Sequence, residues 1–380
     1  MVNNLKTIGI VGGGQLGRMM IPYIKQLGLD VAVLDPAENA PCASICDYHI
    51  VADFNDPDGF AKLAQVSDVI TYEFEHINAD LLEAIEKQGK PVYPSVSSLR
   101  IIQDKYTQKK ALRASNIAVG DFQAVHGLED LLSYTFPFML KSRTGGYDGK
   151  GNFLVKCKSD CKEAYNQLSG GGKHALMIED FVDFDKEVSV IATRGQDGEC
   201  VVFPIAENVH RNSILDTTTV PAKISAQTMQ KVMQVAKDVM ECFQGVGTFC
   251  AELFVNETTG EVLVNEVAPR VHNSGHYTIE ACRTSQFENH IRAICGLGLG
   301  STEMLVECAV MRNIIGTIAG KASYKGIEEA LKLKDVNVHI YGKPDAAVGR
   351  KMGHFTVTGK SFEVKEKLKK INITSTRLCD

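Results

Sequence analysis

Apolar and polar positions along this chain change rhythm twice, and the changes divide it into segments. Residues 7–11 are a β-branched, apolar run followed by Gly12-Gly13-Gly14-Gln15-Leu16-Gly17, and residues 18–27 then carry apolar side chains at helical spacing. Further apolar runs at 31–34, ending in Asp35, and at 69–72 read as strands, because short apolar runs between turn signals suit strands buried in a parallel sheet. This succession predicts a Rossmann-like α/β unit over 1–104, closing near Pro91-Val92-Tyr93-Pro94-Ser95 and handing over to one polar helix spanning about 97–109. Beyond residue 105 the pattern is α+β: strands at 138–141 and 153–155, then at 175–181, 187–191, 248–255 and 262–267, with an amphipathic helix over 226–242. A smaller β-rich segment, 301–380, shows strand-like runs at 308–313 and 338–341.

Two glycine clusters carry candidate chemistry. Gly12, Gly14 and Gly17 meet the G-x-G-x-x-G spacing, with Asp35 about twenty residues on, as a dinucleotide fingerprint requires. The same geometry arises wherever a first strand and helix pack tightly or a phosphate sits at a helix start, so the NAD reading is only one of several. The second cluster, Thr144-Gly145-Gly146-Tyr147-Asp148-Gly149-Lys150-Gly151, joins two neighbouring strands. Its glycines let successive N–H groups approach a phosphate and Lys150 adds positive charge, although a flexible hairpin tip would use glycine too. It lacks the G-K-[ST] triplet of a Walker loop and does not lead into a helix.

Glu252 and Glu266 lie on consecutive predicted strands joined by Asn256-Glu257-Thr258-Thr259-Gly260. An antiparallel hairpin turning there sets 252 opposite 265 or 266, so two carboxylates become neighbours. Facing like charges call for a cation or a shared proton, and Mg²⁺ accepts one or two carboxylates together with substrate phosphates. Asn265 offers a neutral oxygen beside them. The donor-rich segment Ala268-Pro269-Arg270-Val271-His272-Asn273-Ser274-Gly275-His276 follows at once and reads as a substrate-binding loop. Lys105, at the entry to the second segment, and Lys141, at a strand end before the glycine loop, suit nucleotide phosphates, and Arg350 with Lys351 suits a ribose phosphate.

Composition narrows the partners. A net charge of -5 and a pI near 6.1 give no basic face for nucleic acid or anionic lipid. No run approaches twenty apolar residues and no signal-peptide pattern opens the chain, so neither membrane spanning nor secretion is expected. The eleven cysteines include no C-x-x-C pair and read as reduced thiols of a cytoplasmic protein.

Together these motifs make the chain resemble the ATP-grasp superfamily and, within it, the 5-(carboxyamino)imidazole ribonucleotide synthases of purine biosynthesis. The matching residues are Gly12 through Met19, Tyr72-Glu73-Phe74-Glu75, the 145–151 loop, Ala206-Glu207-Asn208-Val209-His210, Asn265-Glu266-Val267-Ala268-Pro269-Arg270, His272-Asn273-Ser274-Gly275-His276, Tyr341-Gly342-Lys343 and Gly349-Arg350-Lys351-Met352-Gly353-His354. The resemblance implies an ATP-grasp fold with a Rossmann-like pre-ATP-grasp domain (1–104), an ATP-grasp domain (105–300, with a lid subdomain at about 112–182) and a small C-terminal domain (301–380). It implies ATP- and bicarbonate-dependent carboxylation of 5-aminoimidazole ribonucleotide through carboxyphosphate, with ATP and Mg²⁺ as cofactors, in a cytoplasmic homodimer.

By the same resemblance, Lys105, Lys141, Gly145, Gly146, Tyr147, Asp148, Gly149, Lys150 and Gly151 contact ATP phosphates. Glu179, Asp180, Phe181 and Val182 form the hinge against adenine, Glu187 holds the ribose, and His210 and Asn265 complete the nucleotide site. Glu252 and Glu266 carry magnesium. Gln15, Leu16, Glu73, His272, Asn273, Ser274, Lys343, Arg350 and Lys351 face the second substrate, and Tyr147, Asp148, Arg270 and Lys351 take the catalytic roles. Asp180 stands where a lysine is common and Val271 where proline is frequent; neither removes a reacting group. Another ATP-grasp ligase, such as a formate-dependent glycinamide ribonucleotide transformylase or a biotin carboxylase, stays open, as does, more distantly, an NAD-dependent oxidoreductase.

Overall fold

Four parallel strands, in the order β3-β2-β1-β4, open the computed structural model, which describes residues 4–146 and 151–377 and the side chains through 375. They are β1 (Thr7–Val11), β2 (Asp30–Asp35), β3 (Tyr48–Val51) and β4 (Val69–Tyr72), interleaved with helices α1 (Gln15–Gln26), α2 (Pro57–Val66) and α3 (Ala79–Lys87). Strands β1 and β4 are fully buried, because helices cover both faces of a parallel sheet and leave no solvent side. Gly12 stands at φ +98°, where a Cβ would lie 2.5 Å from Glu73 Cγ; only glycine fits this turn.

The single helix expected over 97–109 is two: α4 (Val96–Gln103) and α5 (Lys105–Ala114). They break at Asp104, whose extended backbone and carboxylate cap α5 by accepting from Thr107 N–H at 3.0 Å. An N-cap must leave helical dihedrals, so a capping aspartate inside a polar run starts a new helix. The break puts Lys105 in the first turn of α5, and its N–H donates to Arg143 C=O at 2.8 Å, tying that turn to the root of the glycine loop.

Next comes a four-stranded antiparallel sheet, β5 (Phe122–Val125), β6 (Phe138–Ser142), β7 (Asn152–Val155) and β8 (Leu176–Asp180), ordered β5-β8-β6-β7 and backed by α6 (Leu128–Ser133) and α7 (Cys161–Ser169). Phe138, Leu140, Cys161 and Ile178 are completely buried in its separate core. The glycine loop closes the β6–β7 hairpin, with Lys141 opposite Asn152. Tyr147, Asp148, Gly149 and Lys150 lie outside the described residues.

The largest sheet runs through β9 (Lys186–Arg194), β10 (Cys200–Val202), β11 (Ala206–Arg211) and β12 (Ile214–Val220), then, after α8 (Ala226–Phe243), through β13 (Gly247–Asn256) and β14 (Glu261–Ala268). After the short helix α9 (Thr278–Ala281) and α10 (Gln286–Ile294), it takes in β15 (Cys308–Ile315). The last elements are β16 (Gly320–Lys325), α11 (Ile327–Leu331), β17 (Val336–Ile340), β18 (Asp345–Ala346), β19 (Lys351–Gly359), α12 (Ser361–Lys370) and β20 (Thr374–Arg377). The order β14-β13-β9-β11-β12-β15-β19-β17 continues unbroken into the C-terminal segment, across the β12–β15 pairing of Thr217 with Arg312. Thus β15, β19 and β17 of the 301–380 segment share the main sheet, β18, β16 and β20 form a separate three-stranded sheet, and Val310, Phe355, Val357 and Val364 build a separate core. No strand is expected at 351–359, yet these residues form one of the longest strands; Met352 to Thr358 are all buried, so no polar alternation marks them.

The candidate active site

The faces of these segments meet in a cleft of about 1120 Å³, lined from α1, the 73–76 stretch after β4, β6, β8, β11, β13, β14 and the stretch leading into β19. Its floor is the β13–β14 hairpin. Glu252 pairs with Glu266, but the next pair is Leu253 with Val264, so Asn265 is an extra residue, a β-bulge. A bulge kinks its strand and re-aims side chains. Here it lets Asn265 and Glu266, adjacent in sequence, both line the cleft, which regular alternation forbids.

Cations converge on this floor. Lys105 Nζ lies 2.5 Å from Glu266, and this pairing holds the Glu266 carboxyl below its usual range although burial pushes it up. For Glu252, burial first, and Glu187 second, push the carboxyl up to about 7. Lys141 Nζ is 2.6 Å from Glu179 Oε2 and donates to Asn265 Oδ1 at 3.3 Å. Lys109, absent from the sequence reading, is 3.1 Å from Glu179 Oε1 and donates to Val264 C=O at 3.3 Å. Burial pushes the Glu179 carboxyl up, and the two lysines outweigh it and hold it at about 2.

The 179–182 stretch leaves β8 along the cleft wall. Glu179 itself is only 6 % exposed, so its side chain serves the lysines and not the open wall. Tyr134 O–H donates to Asp180 at 2.5 Å, turning that side chain towards the lid sheet. Phe181 is exposed to the cleft, and Phe184 stacks on Phe254 with centroids 4.4 Å apart, an apolar lining suited to a base. Glu187 Oε2 lies 2.8 Å from His210 Nδ1; burial opposes protonation of His210, but Glu187 raises it overall.

Across the cleft, Arg270 pairs with Glu75 at 2.8 Å and donates to Val271 C=O. Glu75 lies past the end of β4, and its place in the Tyr72-Glu73-Phe74-Glu75 motif is the sequence signal that points to it. His272 sits 3.7 Å from Glu252, and burial, followed by Arg270, keeps its ring well below the usual range and neutral. Asn273 borders the cleft but spends its amide on Asn313 at 3.1 and 2.8 Å. Ser274 is fully buried, and its hydroxyl meets His272 Nδ1 at 2.9 Å, so it supports that ring. Lys343, Arg350 and Lys351 also line the cleft; Lys343 donates to Lys351 C=O at 2.8 Å and Arg350 to Asp345 C=O at 2.7 Å.

The N-terminal glycine turn is filled from within. Glu73 accepts from Gly14 N–H and, at 2.8 Å, from Gly17 N–H, while Asp35 accepts from Gly13 N–H at 2.8 Å. Carboxylates therefore occupy the donors that a dinucleotide pyrophosphate would need, so the NAD reading fails on geometry. Gln15 and Leu16 border the cleft just beyond this plug.

Residues 5–103 match the ribonucleotide synthetase preATP-grasp domain, 110–287 the ATP-grasp domain and 309–368 the phosphoribosylaminoimidazole carboxylase C-terminal domain. The class is therefore the ATP-grasp ligases. A Bacillus subtilis (strain 168) N5-carboxyaminoimidazole ribonucleotide synthase is 42% identical over 355 residues, 92% of this chain and 90% of that protein. The solved N5-carboxyaminoimidazole ribonucleotide synthetase of Thermotoga maritima superposes with a TM-score of 0.88 at 40% identity, over 98% and 99% of the two chains. The Aspergillus clavatus synthase in complex with ADP and 5-aminoimidazole ribonucleotide gives 0.88 at 33%, over 97% and 98%. The chain belongs to the N5-carboxyaminoimidazole ribonucleotide synthase family.

Proposed function

We propose that the chain carboxylates the exocyclic amine of 5-aminoimidazole ribonucleotide, using bicarbonate and the hydrolysis of ATP to ADP and phosphate. The observation that carries this reading is one continuous cleft that gathers complementary charges. A carboxylate pair with Lys105 and Lys141, Arg270 with His272, and Lys343, Arg350 and Lys351 all line it. Such a set suits a triphosphate, a small anion and a ribose phosphate bound together.

The hinge at 179–182 with Phe184 and Phe254 would take the base, and Glu187 the ribose. Lys105, Lys141 and the 145–151 loop would take the phosphates. Glu252, Glu266 and the Asn265 oxygen form a hard oxygen set that fits Mg²⁺, which prefers a few carboxylates plus phosphates to an all-protein cage. The raised Glu252 carboxyl, paired across the ladder with Glu266, is the sign on this hairpin that a cation belongs there. When bound, the ion neutralises developing charge on the transferred phosphoryl group.

Arg270, aimed by Glu75, orients bicarbonate for attack on the γ-phosphate and then holds carboxyphosphate. Neutral His272 beside it donates or accepts a hydrogen bond without adding charge. Tyr147 and Asp148 are assigned to act on the intermediate, and Lys351 assists. Lys343 with Arg350 takes the 5'-phosphate, since a dianion suits paired cations, and Gln15, Leu16 and Asn273 border that substrate. Closure of the glycine loop protects an intermediate that water destroys.

The test is phosphate release from Mg-ATP, measured with and without aminoimidazole ribonucleotide plus bicarbonate. Stimulation by that pair is expected. Stimulation instead by formate with glycinamide ribonucleotide would overturn the assignment.

A further inference from the structure

Glu179 is shared by two lysines of unequal position. Its Oε2 pairs with Lys141 and its Oε1 with Lys109, at 2.6 and 3.1 Å. The Lys109 side chain is 4% exposed and that of Lys141 is 11%. Lys109 is also held by Val264 C=O on β14, whereas Lys141 already reaches Asn265 Oδ1 on the bulge beside the carboxylate pair. One carboxylate thus binds a cation anchored between two strands and a cation at the edge of the phosphate region.

A phosphate oxygen that recruits Lys141 competes with Glu179 for the charge of its ammonium. If Lys141 were the sole partner, its departure would strand a buried carboxylate, and such a charge is costly to leave unpaired. With Lys109 on the other oxygen, Glu179 stays compensated throughout.

We infer that Lys109 is a positioning residue which holds the Glu179 carboxylate so that Lys141 is released to the nucleotide phosphates. The inference rests on the reading of Lys141 as a phosphate ligand. Lys109 lies one helical turn beyond Lys105 on α5, so both lysines project from one face of that helix into the same charge cluster.

The test is calorimetric titration of the full chain with Mg-ADP and, separately, with adenosine, which has no phosphate. In Lys109→Met, Lys141 stays locked on Glu179. Mg-ADP affinity should fall at least about tenfold while adenosine affinity changes less than about twofold, since only the phosphates need Lys141. Lys109→Arg should recover most of the loss. Lys109→Met combined with Glu179→Gln should recover Mg-ADP binding as well, because no carboxylate then competes for Lys141; this pair also removes the Lys109 and Glu179 charges together, so it serves if the single variant fails to fold.

Mg-ADP binding unchanged in folded Lys109→Met would overturn the inference. So would equal losses for Mg-ADP and adenosine, which indicate a merely structural lysine, or failure of the double variant to recover. Lys141→Met separates the underlying reading: if it binds Mg-ADP normally, Lys141 is no phosphate ligand and that assignment falls. Weak binding by Lys141→Met beside normal binding by Lys109→Met removes the role of Lys109 alone.

Discussion

Replacing Glu179 with glutamine should make the stability of this protein less sensitive to acid between pH 6 and pH 3. An ordinary glutamate titrates at 4.5; in the fold burial pushes Glu179 up, but Lys141 and Lys109 outweigh it and hold the carboxyl at about 2. A lowered folded value stabilises the protein above the unfolded value, and the contribution is lost as pH falls from about 4.5 through about 2. That gap corresponds to about 3 kcal/mol at pH 6, of which about 1 kcal/mol remains at pH 3. The side chain is only 7% exposed, so solvent screening removes little of it. The glutamine variant has no such term, and the stability difference between wild type and variant should shrink by about 2 kcal/mol across this window. The chain has no tryptophan, so urea unfolding followed by far-UV circular dichroism at several pH values is the suitable assay. A difference that stays constant with pH would refute the picture of a carboxylate clamped between two lysines.

Asp148→Asn should leave Mg-ADP affinity nearly unchanged and collapse turnover in the phosphate-release assay; normal turnover removes Asp148 from the chemistry. Glu75→Gln should lower kcat by about tenfold or more with little change in the KM for ATP, since it frees Arg270 without touching the nucleotide wall. An effect confined to the KM for ATP would contradict the role given to Glu75. For Glu252→Gln, the Mg²⁺ concentration giving half-maximal activity should rise about tenfold or more, and an unaltered metal titration would show that the ion sits elsewhere.

Much of the architecture is visible in local patterns. The β-branched run at β1, the glycine turn and the helical spacing of α1 lie within some twenty consecutive residues, so one element and its neighbour can be read together. The hairpin of Glu252 and Glu266 is equally local, because the turn between them sets the register to within a residue. Strand β19 is hidden for the opposite reason: it is buried on both faces and contains Gly353 and His354, so it shows neither alternation nor a simple apolar run.

By itself, the sequence determined which residue types stand near which turns: glycines after β6, carboxylates on one hairpin, and cations after Ala268 and before β19. Tertiary structure decided which of them share a cleft. It placed a bulge at Asn265, so that three consecutive-strand oxygens face one way. It filled the α1 turn with Glu73, drawn from 56 residues away, and thereby closed the dinucleotide site that the glycine spacing had suggested. It brought Lys109 and Lys141 onto one buried glutamate and set Ser274 against the His272 ring. The physical reason is common to all four. Spacing along the chain controls hydrogen bonds within a few residues, whereas pairing across segments depends on sheet register and on which buried charge finds compensation, and both are fixed only when the segments pack.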